Sequence, residues 1–294
     1  MGMAAVPLWR YQGRPQRCVR VKEEMKAMHE KFKNRLLLGV AMCLGAAASH
    51  AGDQPRFNLA EAARPAWALQ LTPYLWAARL DGSVSPFRRS PTITVAKPFS
   101  EIFDDLNFGG FIDLWGRRGN YVLAADVAYT DITDSRTTGP LPVLAGTQVL
   151  DGSADTRQLT VTFKGGYRVH EGEKEVLELL AGVRYWHISN DVKLRYGNVS
   201  RSYGESFSWV DPVLGGRFRY RWNDRWQVQV QADVGGLGAG ARFTWNVLSV
   251  VSYNISDQFS ASAGYKMLGV DYRSNGHVFD TVMRGPVIGL TYRF

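Results

Sequence analysis

Val282-Met-Arg-Gly-Pro-Val-Ile-Gly-Leu-Thr-Tyr-Arg-Phe294 is the last stretch of the sequence and ends on an aromatic residue. Val282, Pro286, Ile288, Leu290, Tyr292 and Phe294 fall on one parity, interrupted once by Arg284. Gly285, Val287, Gly289, Thr291 and Arg293 fall on the other. A period of two puts these sets on opposite faces of a strand. From Pro286 onward one face is continuously apolar, and the other is mostly small or polar.

The same alternation recurs upstream. Trp67 to Asp81 places Trp67, Leu69, Leu71, Leu75 and Ala77 together. Tyr121 to Asp131 sets Tyr121, Leu123, Ala125, Val127 and Tyr129 against Val122, Ala124, Asp126, Ala128 and Thr130. Trp226 to Gly235 sets Trp226, Val228, Val230, Ala232 and Val234 against Gln227, Gln229, Gln231 and Asp233. Strands are also expected at 108–117, 157–169, 176–194, 207–222, 243–253 and 259–272, ten in all with the closing one. Short connections follow strands two, four, six and eight. Longer ones follow one, three, five and nine, with 132–156 and 195–206 read as loops. Within the first long connection, Ser100 as N-cap and Ile102, Phe103 and Leu106 on one side predict a short helix over 98–106, a candidate plug for the lumen.

The beginning of the chain says where these strands work. Lys31 to Arg35 is a basic flank, Leu36 to Ala48 an apolar core, and Ser49-His-Ala51 a small-residue exit, the three parts of a secretory signal peptide. The expected organisation is an extension over 1–27 arising from a misassigned start, a signal peptide over 28–51, and a barrel domain over 52–294. The full chain carries net charge +8. Residues 1–51 hold nine Lys/Arg and three Asp/Glu, so their removal leaves 26 basic against 24 acidic residues, net +2. The basic balance therefore belongs to the presequence, and nucleic-acid binding loses its support. Cys18 and Cys43 also lie in that part, which leaves the remainder without disulfide, thiolate metal site or cysteine nucleophile.

After the presequence no apolar run is long enough for a membrane helix. A closed barrel is the other structure that satisfies its backbone in lipid. The fold class expected is thus all-β: a transmembrane antiparallel up-and-down barrel of about ten strands, with short periplasmic turns and longer outer loops. Aromatics near strand ends, among them Trp67, Trp76, Tyr121, Tyr129, Tyr185, Trp226, Tyr253, Tyr265, Tyr292 and Phe294, suit interfacial girdles. A soluble sandwich or lipocalin-like barrel has the same period with the faces reversed. Polar faces rich in Gly, Ser, Thr and Gln, rather than densely charged, favour the membrane.

Several motifs resemble a family of uncharacterised proteobacterial outer-membrane β-barrel proteins: Leu71-Thr-Pro-Tyr-Leu-Trp76, Ala181-Gly-Val-Arg-Tyr-Trp186, Trp209-Val-Asp-Pro-Val213, Asp233-Val-Gly-Gly236 and the closing Gly285 to Phe294. The resemblance implies the fold and an outer-membrane location, and no substrate. The closing strand is similar to those read by the outer-membrane assembly machinery, which makes Ile288, Leu290, Tyr292 and Phe294 the expected assembly signal. The other expected partners are outer-membrane lipid and lipopolysaccharide.

With the apolar parity toward lipid, the lumen receives Asp113, Asp126, Glu178, Asp211 and Asp233, together with Arg117, Lys164, Arg184, Arg217, Arg219, Lys266 and Arg293. The signs nearly balance in a narrow barrel, so the expectation is a lumen closed by charge pairs. The function expected is a structural, surface-interaction or small-solute role without catalysis, and a narrow channel is one alternative. The other is a hydrolase. His187-Ile-Ser-Asn190 resembles the His-x-Ser-Asn motif of outer-membrane lipid A deacylases, which makes His187, Ser189 and Asp191 the catalytic candidates. Asp131 and Asp134 with His187 and Asp191 also supply the residue types of the outer-membrane aspartyl-type proteases. No metal-ligand cluster, phosphate loop or dinucleotide motif appears, and no cofactor is implied. Gly235 to Gly240 joins two strands and reads as a bend.

Overall fold

A computed structural model describes residues 67–88, 90–138, 150–196 and 199–294. The expected extension and signal peptide lie outside the described residues. The chain forms β1 (Ala68–Trp76), β2 (Arg79–Ser85), β3 (Ile93–Lys97), the helix α1 (Phe99–Asp104), β4 (Leu106–Arg118), β5 (Tyr121–Thr138), β6 (Leu150–Glu171), β7 (Glu175–Tyr196), β8 (Val199–Arg221), β9 (Trp226–Gly236), β10 (Phe243–Asn254), β11 (Phe259–Ser274) and β12 (His277–Arg293). Ten strands, β1 and β4 to β12, make an antiparallel ring that β1 closes against β12, from Gln70 opposite Arg293 to Trp76 opposite Val287. The expected strand number and closing pair are both found.

The faces resolve the direction of the barrel. Leu123, Phe163, Leu179, Val183, Leu214, Val234, Val251, Ile288 and Leu290 point outward and are exposed, while Glu178, Arg184, Asp211, Asp233 and Lys266 are buried inside. An inverted, soluble arrangement would reverse this, because bare aliphatic surface on that scale is unfavourable in water. Ring pairs Tyr121–Tyr167, Trp226–Tyr253 and Phe259–Tyr292 mark the short-turn rim of the apolar band, at centroid distances of 5.5, 4.9 and 5.0 Å. Trp76, expected in a girdle, instead points inward and is buried.

The structure differs from the sequence reading in further respects, and the longer connection expected after the ninth strand is a two-residue turn at Asn275-Gly276. The segments 132–138, 150–156 and 199–206 are strand rather than loop, so β6, β7 and β8 run 22, 22 and 23 residues, roughly twice the 9–11 needed to cross a bilayer. They make a tall wall beside β9 and β10, which stop at 11 and 12 residues. The first strand is broken at Ala77 and Ala78. β2 continues its path along the upper half of β12, and β3 folds back on β2 as a hairpin. Finally, α1 forms inside the predicted segment, with Pro98 rather than Ser100 at its N-cap and no side-chain cap, and none of its residues is buried, so it does not plug the lumen. It stands beside the seam where β3 and the upper part of β4 are not paired.

Candidate functional site

The inward faces build two layers, one polar and one aromatic. Glu178 anchors the polar layer nearest the short turns. Its carboxylate accepts from Arg168 Nη2 at 3.0 Å, Arg219 Nη2 at 3.4 Å and Trp115 Nε1 at 3.2 Å. The Arg217 and Arg219 guanidinium groups lie over the Trp115 ring at 5.1 and 4.9 Å, within cation–π range. Deeper in, Asp233 accepts from Lys164 Nζ at 2.8 Å, Arg184 Nη2 at 2.6 Å and Asn246 Nδ2 at 3.3 Å. Arg184 also donates to Thr162 and Thr244, both at 3.0 Å, so all its nitrogens are engaged. Beside this, Asp126 takes Lys266 Nζ at 2.9 Å and the Tyr74 hydroxyl at 2.7 Å. Charges removed from water are tolerable at these three carboxylates because each has two or three donors.

Above lies the aromatic layer. Trp209 stacks on Tyr272 at 3.9 Å, on Trp186 at 5.4 Å and on Phe207 at 5.9 Å, and Phe207 stacks on His277 at 4.2 Å. These rings join β8 to β11 and β12 across the gap above the short β9 and β10. Asp211 holds the arrangement: it accepts from Trp209 Nε1 at 2.9 Å and from the Ala241 backbone N–H, in the β9–β10 turn, at 2.6 Å. The β2–β3 loop reaches over this layer. Arg88 Nε lies 3.0 Å from Glu205 of β8, the Arg88 backbone N–H donates to the same carboxylate, and Phe87 packs edge-on against Tyr203 at 4.7 Å. His277 Nε2 lies 3.3 Å from Glu205 without hydrogen-bond alignment.

The twelve lumen residues named from parity occupy unequal situations. Asp126 with Lys266, Asp233 with Lys164 and Arg184, and Glu178 with Arg219 are ion pairs. Arg117 donates to the Gly119 carbonyl of a turn, and Arg293 to Asn254, Ser260 and the Asp257 carbonyl. Asp211 is bound by neutral donors only. Asp113 and Arg217 have no ion-pair partner among the described residues. Arg168, Trp115 and Tyr74 join the network without having been named. Arg168 shares the parity of Lys164, and that signal would have found it.

The catalytic candidates form a row rather than a triad. His187, Ser189 and Asp191 lie at alternate positions on the outward face of β7, opposite Leu159, Arg157 and Asp155 of β6. Alternate strand positions are about 6–7 Å apart. No hydrogen bond among the described residues links the three. Asp131 and Asp134 lie on opposite faces of β5: Asp131 is 3.6 Å from Arg157, and Asp134 is 2.5 Å from Lys97. Ile288 and Leu290 point outward, Tyr292 packs on Phe259, and the Phe294 backbone N–H donates to the Leu69 carbonyl. Among the described residues no group of three His, Cys, Asp or Glu is placed to hold a metal.

No protein family matches the chain, and no curated protein is similar to it. Among solved structures it is similar to the outer membrane protease OmpT from Escherichia coli, at 10% identity and TM-score 0.44, over 78% of this chain and 96% of that one. It is similar to the translocator domain of autotransporter NalP from Neisseria meningitidis, at 10% identity and TM-score 0.41, over 92% and 98%. It is also similar to the attachment invasion locus protein Ail of Yersinia pestis, at 15% identity and TM-score 0.30, over 78% and 98%. These are outer-membrane proteins of Gram-negative bacteria, and the barrel fold of this chain stands on its own closed ring of ten antiparallel strands.

Proposed function

We propose that this barrel is sealed and non-catalytic, and that it acts through its outer surface, above all through the tall wall of β5 to β8. The observation that carries this reading is the double filling of the lumen. Paired charges cross its lower part and stacked rings its upper part, and cavities of about 70 and 20 Å³ lie against the paired charges. The strands that rise past the apolar band expose a polar face to the outside.

A collar of alternating charge lies between the band and that wall. Asp81 holds Arg79 at 2.6 Å and Arg284 at 3.3 Å, Asp131 faces Arg157 at 3.6 Å, and Asp271 holds Arg273 at 2.9 Å. Such a collar suits the phosphate and cation layer of lipopolysaccharide, which is the lipid partner of this reading. Short turns then face the periplasm.

Planar-bilayer recording on the refolded barrel tests the seal, with no steady conductance expected. Mass spectrometry of lipid A from cells with and without the protein tests the absence of deacylation, with identical acylation expected. Steady channels, or a lost acyl chain that returns in the Ser189→Ala variant, would replace this reading with one of its alternatives.

A further inference from the structure

The cavity of about 70 Å³ at the short-turn end is lined by two opposite charges, Arg217 and Asp113, that form no ion pair among the described residues. Arg217 lines it and is 4% exposed. Its Nε donates to Gln229 at 2.9 Å, and its two terminal nitrogens donate to nothing among the described residues. Asp113 lines the same cavity, again with no hydrogen bond or ion pair among the described residues. The other charges there are committed: Lys266 to Asp126 and Tyr74, and Arg293 to Asn254, Ser260 and a backbone carbonyl. Arg217 rests on Trp115 and Gln229 and attracts Asp113 at longer range, but the Arg217 terminal nitrogens and the Asp113 carboxylate have no hydrogen-bond partner among the described residues, and a charge so placed in a barrel interior is costly. Exceptions of that kind concentrate where a ligand completes the set.

The rest of the lining narrows the ligand. Hydroxyls of Thr72, Ser262 and Thr291 stand on one side, and Leu248, Val250 and Val287 offer an apolar wall. A simple anion would satisfy Arg217 and be repelled by Asp113, and a simple cation would meet the converse. The volume is about half that of an engineered cavity which admits benzene, so the occupant is small. We propose that this cavity binds a small zwitterion of the α-amino-acid class. The carboxylate lies on Arg217, the ammonium on Asp113, and a short apolar side chain lies against Leu248 and Val250. Gln227 and Arg293, part-exposed at the rim, mark the entry from the short-turn side. This site is independent of the sealed outer half and of the β5–β8 surface.

The test uses the full barrel refolded in detergent micelles, with alanine, acetate and methylammonium as probes in ligand-observed NMR and calorimetry. Alanine is expected to bind at least about tenfold more tightly than acetate or methylammonium, the equivalent of one charge-assisted hydrogen bond. R217Q is expected to weaken alanine and acetate together. D113N is expected to weaken alanine while strengthening acetate. Acetate binding as tightly as alanine to the wild-type protein overturns the proposal in favour of a plain anion site, and this comparison needs no variant. Absence of alanine binding, with R217Q and D113N each lowering the unfolding midpoint and the double variant restoring it, overturns it in favour of a water-bridged structural pair. Should R217Q not fold, Arg217→Lys retains the charge, and alanine binding unchanged in that variant and in D113N together also overturns it.

Discussion

Asp233 shows what a single side chain does in this lumen. It neutralises Lys164 and Arg184 at once, and both cations are at least 97% buried at their side chains. Asp233→Asn keeps the shape and removes the charge, leaving the Lys164 ammonium and the Arg184 guanidinium without an ion-pair partner among the described residues. Breaking a buried pair from one side costs about 3–5 kcal/mol. Urea unfolding of the refolded barrel is expected to show a loss of that order for D233N. Asp126→Asn should cost less, because the Asp126 side chain is 23% exposed and water shares the compensation.

Glu205 acts at the mouth, outside the membrane band. The Arg88 backbone N–H holds its carboxyl below the usual glutamate range, aided by His277 and the Arg88 side chain against the cost of desolvation. A carboxylate whose folded pKa is depressed contributes stability above its unfolded pKa and loses it as pH falls through the folded one. The loop tie is therefore expected to be intact at neutral pH and to release only below the ordinary glutamate range. The Arg88 amide resonance should titrate with a midpoint below that range. Glu205→Gln should free the loop at neutral pH, read as trypsin cleavage at Arg88 to which the wild-type protein is resistant.

Among the elements, β3 and the upper end of β4 face one another outside the closed ring without strand pairing. β4 pairs with β1 only from Phe111 to Arg117, so its upper end has β5 alone as a strand neighbour. Lys97 bridges the seam, reaching Asp105 beside α1 at 3.3 Å and Asp134 of β5 at 2.5 Å. Lys97→Ala is expected to raise amide exchange across 79–105 while β5 to β12 stay protected, since the lower ring is continuous without the hairpin. Uniform exchange across the barrel would show that the hairpin is not a separate unit.

These same elements mark how far the sequence could be read. Alternation between lipid-facing and lumen-facing residues is strong from Tyr121 to Tyr129 and from Pro286 to Tyr292, because one side meets hydrocarbon. Above the band 152–156 are part-exposed and 200–206 mostly exposed on both parities, the alternation fades, and strands there look like loops. The aromatic layer was hidden for the opposite reason. Trp186, Trp209, Tyr272 and Phe279 sit on the inward parity, which elsewhere carries polar residues, and stacking between distant strands leaves no local pattern. Parity alone placed Asp113 and Arg217 in the lumen, but only the three-dimensional arrangement separates them from the paired charges.

At the scale of the whole molecule the two layers act in series. A pore's resistance is the sum along its path, so either layer alone is enough to block it. The lower barrier is the Asp126–Lys266–Tyr74 cluster, whose first two residues stand in the wall shared by the two cavities. The upper is the ring stack centred on Trp209, and a hydrophobic constriction of that kind excludes water as well as ions. Trp209→Ala opens the upper layer at a cost of about 3–5 kcal/mol, so retained heat-modifiable migration must be checked first. Lys266→Ala removes the bridging ammonium from the lower layer. Each single variant is expected to remain silent in planar bilayers, and the W209A/K266A double variant is expected to conduct. Conductance from W209A alone would mean that the charge layer is permeable and that the rings are the whole seal. Conductance from K266A alone would place the seal in the charges.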